Sequence, residues 1–123
     1  ILQVLELMQM GYKVIISTHS PVFLEFAWAF NLLNSHVKEE KNEALLEMFD
    51  LSSARSIKDK LNSIFNKSVH TYYFARKSGK VHSLDITSLD AGDDNPDISE
   101  WGGISQFAGR VSEIVAKYMS ADE

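Results

Sequence analysis

The chain has 123 residues and no cysteine. That excludes a disulfide framework and any thiolate metal site, and it fits a reducing compartment such as the cytoplasm. No apolar run approaches the roughly 20 residues that a helix needs to span a bilayer. The four histidines, His19, His36, His70 and His82, show no His-x-x-x-His spacing, so no zinc-type ligand pair is visible. Internal repeats and low-complexity tracts are also lacking, which sets solenoid and array architectures aside. Positive charge is scarce: 12 Lys and Arg face 17 Asp and Glu, for a formal net charge of −5. That balance argues against a broad nucleic-acid face within these residues. What remains, 45% hydrophobic and 24% charged, describes an ordinary folded chain, for which one domain is the natural count.

The most informative stretch is Lys13-Val14-Ile15-Ile16-Ser17-Thr18-His19-Ser20-Pro21. Its β-branched apolar run predicts a strand over 13–17, buried on both faces as in parallel sheets. Ser20 suits the cap of a following helix, and Pro21 suits its first position, where an N–H would be unpaired anyway. His19 is therefore expected at the C-terminal mouth of a parallel strand, beside a helix N-terminus. Open α/β sheets bind ligands at that edge, and anions gather at helix N-termini.

Around this stretch the chain predicts a helix over 1–10 and another over 21–33. The first carries no capping Ser, Thr, Asp or Asn at its start and is stopped by Gly11. Because it reads as the running middle of a helix and begins with Ile rather than Met, we expect the chain to start within an element. The second carries Val22, Phe23, Leu24, Phe26, Trp28, Phe30 and Leu33, apolar nearly all round, and is expected to be buried on several sides. Residues 40–66 offer two apolar stripes, Leu45, Leu46, Met48 and Phe49, then Ile57, Leu61, Ile64 and Phe65. They predict two short helices packed as a hairpin, with Ser52 or Ser53 as the cap between them. Strands are predicted over 69–76 and 80–86, joined at Lys77-Ser78-Gly79, with the register open. An acidic loop spans 87–100. A final helix over 103–119 has Ile104, Phe107, Ala108, Val111, Ile114, Val115 and Tyr118 on one side, the cleanest amphipathic pattern in the chain. Gly102 and Gly103 permit a sharp start to it, with Trp101 pinning the loop to the core.

The segment Val14-Ile15-Ile16-Ser17-Thr18-His19-Ser20-Pro21 resembles the switch-histidine segment of ABC-type, AAA-family ATPase heads, in the branch that includes RecF, SMC and OLD-like proteins. The element order is similar too: a strand, a helix, two strands joined by a Gly turn, then closing helices. This resemblance implies an α/β fold, the C-terminal portion of a P-loop NTPase head with a helical insertion and a β-hairpin. Residues 1–35 would be the switch-histidine strand and its flanking helices, 36–68 the insertion, and 69–123 the hairpin, acidic loop and closing helix of the same head. It further implies that His19 contacts the γ-phosphate of ATP as the catalytic residue, with Thr18 and Ser20 beside it in the nucleotide-binding loop. ATP and Mg²⁺ would be held mainly by the remainder of the head, and two heads would sandwich the nucleotide. DNA or an effector protein would be further partners, without a membrane and in the cytoplasm.

Missing motifs bound what these residues do alone. There is no Gly-x-x-x-x-Gly-Lys-Ser/Thr run to cradle phosphates. No aspartate-ending strand with a catalytic glutamate and no Leu-Ser-Gly-Gly-like signature is found either. In the family all of these precede the switch histidine, so the segment is expected to be catalytically incomplete. Ser17, His19 and Ser20 are sequence neighbours, whereas a nucleophile–base pair comes from separate elements. The acidic run from Asp90 to Asp97 lacks the calcium-loop glycine and glutamate and reads as a solvated loop. Two other readings stand beside the ATPase: a non-catalytic interaction module, and part of an OLD-like ATPase–nuclease whose acidic loop holds magnesium.

Overall fold

Leu2, Leu5 and Met8 recur every three residues, and helix α1 (Leu2–Gln9) turns that stripe inward, with Leu5 fully buried. The computed structural model describes residues 1–51, 55–61 and 63–121. Among them are α1, α2 (Pro21–His36), α3 (Lys41–Met48), α4 (Arg55–Lys60), strands β1 (Tyr72–Lys77) and β2 (Lys80–Asp85), α5 (Pro96–Ser99) and α6 (Ile104–Ala121). The fold is thus mixed α and β, with a two-stranded antiparallel sheet. The chain divides into two units: Ile1–Thr18 with Glu25–Val69, and His19–Leu24 with His70–Glu123.

The first unit is helical. Gly11 ends α1 at φ +95°, where its N–H meets the Met8 carbonyl while the Tyr12 N–H reaches back to Leu7. This paired closure satisfies the last carbonyls of a helix and favours glycine at the left-handed position. Ile1 caps the other end of α1 without a side-chain hydrogen bond, in keeping with the missing capping residue. Leu5, Phe30, Leu45, Leu46, Leu61 and Ile64 form one core, packed round by Phe26, Phe49, Ile57 and Phe65. Of the expected stripes of 40–66, Leu45, Leu46, Leu61 and Ile64 are buried and Phe49, Ile57 and Phe65 partly so, whereas Met48 is exposed. The Phe30 and Phe65 rings stack with centroids 4.8 Å apart, and Phe26 tilts against Phe49 at 5.8 Å. Offset and tilted pairs of this kind add to the burial of their area. Helices α3 and α4 touch, and the Lys58–Glu43 ion pair links them. The expected cap at Ser52 or Ser53 lies outside the described residues. Lys41 donates to both the backbone and side-chain oxygens of Asn34 at 3.1 Å, meeting a carbonyl in the last turn of α2 where a cation is favoured.

Helix α2 departs from the expectation of burial on several sides. Only Ala27 and Phe30 are buried, whereas Val22, Trp28 and Leu32 are exposed. One helix face suffices for the core that these short helices build, and the other faces are left to solvent.

In the second unit, Ser78 and Gly79 both take positive φ, 54° and 75°, and close a two-residue turn. Turns of that hand match strand twist and demand φ > 0 at both positions. The turn sets a register in which Tyr73 faces Leu84 and Ala75 faces His82. Beyond the strands, the Ile86 N–H donates to the Thr71 carbonyl and the Thr71 N–H to Thr87 Oγ1. Ala75, Ile86 and Leu89 are the buried apolar residues of this unit. Trp101 pins the loop as expected: its indole N–H donates to the Leu89 carbonyl at 2.8 Å. Leu89 itself is fully buried at φ 47°, a conformation unusual for leucine that this bond helps to hold. Gly102, at φ 69°, lies against the Tyr73 ring so closely that a Cβ would stand 2.7 Å from Cδ2. The acidic loop is organised by short turns: Asp90 accepts from the Gly92 N–H, Asp93 from Asn95, and Asn95 from Asp97, capping α5.

Helix α6 forms over eighteen residues, as its pattern predicts. Yet every residue from 105 to 120 is exposed, including Phe107 at 65% and Tyr118 at 65%. The amphipathic face is present and uncovered.

Candidate functional site

The residues singled out by sequence, Thr18, His19 and Ser20, immediately precede α2. Proline stands at the first helical position, as expected. Thr18 and His19 are exposed and Ser20 is half-buried. The sixteen-residue α2 has no acidic residue in its first turn. The positive end of its dipole is thus not countered by a carboxylate within that first turn. Chemically, the arrangement is an exposed imidazole next to a helix start: it can donate a hydrogen bond to an anion and exchange a proton.

The strand expected to deliver His19 is not formed. Residues 12–20 carry no regular secondary structure, and Ile15 is 97% exposed. A strand needs a neighbour to take its N–H and C=O groups, and the ladder described is the self-contained pair of β1 and β2. The β-branched preference of Val14, Ile15 and Ile16 is real, but preference without a partner leaves the segment unpaired.

The other histidines fall elsewhere. His36 ends α2, with Nδ1 3.3 Å from the Leu32 carbonyl. His82 lies on β2 across from Ala75, so the register does not set it opposite His70. Among the described residues no three His, Asp or Glu side chains converge as a metal-holding group. The Asp85 carboxyl is held below its ordinary value chiefly by hydrogen bonding to Thr87, with His70 adding a favourable charge. Sequence reasoning missed a surface depression of about 350 Å³ on the second unit, lined by Ala75, Lys77, His82, Asn95 and Asp97 among others. Lys77 and Asp97 stand 3.6 Å apart there and neutralise each other. These residues come from β1, β2 and the acidic loop, and no sequence spacing foretells their meeting.

No helix among the described residues is long and apolar enough to cross a membrane. Comparison with family models, with curated proteins and with solved structures finds no match to this chain.

Proposed function

We propose that this chain is the C-terminal portion of a cytoplasmic ABC-type, AAA-family ATPase head, with His19 as its switch histidine. The observation that carries the reading is the Ile-Ser-Thr-His-Ser-Pro wording ending in an exposed His19 at the start of a sixteen-residue helix. The residues at hand fit one edge of a nucleotide: an imidazole donor and a helix start without acid in its first turn suit a terminal phosphate. They do not fit a whole nucleotide, since no phosphate-cradling glycine loop occurs in the sequence. The P-loop, the Mg²⁺ ligands and most ATP contacts belong to the remainder of the head, and a second head completes the sandwich.

In this reading His19 donates a hydrogen bond toward charge that grows on the γ-phosphate in the transition state and helps orient the attacking water. Thr18 and Ser20 hold the loop that presents it. Metal-assisted phosphoryl transfer is the chemistry that ATP and Mg²⁺ bring when bound. In the ATPase that carries this segment, His19→Ala is expected to lower turnover on the order of 10²–10³-fold. ATP binding should be largely kept, because the phosphate cradle lies elsewhere. Steady-state hydrolysis with nucleotide binding measured in parallel is the test, and unchanged turnover removes His19 from the chemistry.

A second reading, a non-catalytic interaction module, draws on the uncovered apolar face of α6. Nucleotide dependence separates the two.

A further inference from the structure

We draw no further inference here: the strongest candidate, the face of the β1–β2 hairpin that exposes Tyr72, Phe74 and Val81 beside Arg76, is an unpartnered apolar face, and nothing in the structure shows what covers it.

Discussion

Residues 41–66 and helix α6 teach opposite lessons about amphipathicity. The first region has short helices, each with a short apolar stripe set among charged residues. Even so, Leu45, Leu46, Leu61 and Ile64 are all buried, because α1 and α2 bring Leu5 and Phe30 to meet them. Helix α6 has the clearest apolar face in the chain and buries none of residues 105–120. An apolar face states what a helix is able to bury. Whether it does so depends on another element arriving at that face, and residues 105–120 of α6 are exposed. Energetically the difference is large, since a buried phenylalanine contributes area and packing that an exposed one does not.

The sharpest way to break this comparison is to truncate one phenylalanine in each region. Phe30→Ala should destabilise the first unit by about 3–5 kcal/mol, the usual cost of emptying an aromatic site in a packed core. Phe107→Ala, measured at concentrations where the chain is monomeric, should fall within about 0.5 kcal/mol of the parent. Denaturant unfolding followed by circular dichroism gives both numbers. A loss at Phe107 comparable to that at Phe30 means that α6 is covered within its own chain.

Two glycines sharpen the contrast on a smaller scale. Gly102 and Gly11 both require positive φ, but an added Cβ at Gly102 meets the Tyr73 ring whereas at Gly11 it meets nothing within 4 Å. Gly11→Ala should therefore cost only the backbone term, about 1 kcal/mol. Gly102→Ala should cost more, roughly 2–3 kcal/mol, because the ring must also move. Thermal unfolding of the two variants against the parent measures the gap, and equal losses remove Tyr73 from the account.

The smallest effect is electrostatic, with one carboxylate in each unit. Hydrogen bonding to Lys58 lowers the pKa of Glu43, and hydrogen bonding to Thr87 lowers that of Asp85. A carboxylate with a depressed folded pKa contributes stability above its unfolded value and loses it as pH falls through the folded one. For Glu43 the decline starts near the ordinary value of 4.5 and for Asp85 near 3.8, and both continue below. Both groups are exposed, so the change should be slight and should shrink with salt at Glu43. Melting curves from pH 6 to 3 for Glu43→Gln and Asp85→Asn against the parent test the sign. A variant that matches the parent's pH slope clears its carboxylate of the effect.

Much of the fold was legible from local patterns. The start of α2 at Pro21, the stop of α1 at Gly11, the Ser78-Gly79 turn and the anchoring of Trp101 all follow from what single residues permit the backbone to do. The candidate site was legible only as a wording, Thr18-His19-Ser20 before a proline, because its resemblance lies in residue identity and not in any force those residues exert. The strand at 13–17 was misread for a physical reason. Pairing is a property of two segments, and Val14, Ile15 and Ile16 supply only one.

The sequence by itself determined the local turns, the helix ends and the absence of disulfide or thiolate chemistry, since each depends on one side chain or one pair of dihedrals. It also determined that α6 would carry an apolar seam. Only the tertiary structure decided which apolar residues became core. Phe30 and Trp28 sit two residues apart on the same helix, yet Phe30 is fully buried and Trp28 is 40% exposed. Burial is set by where distant segments cross, and that depends on how all of them pack at once.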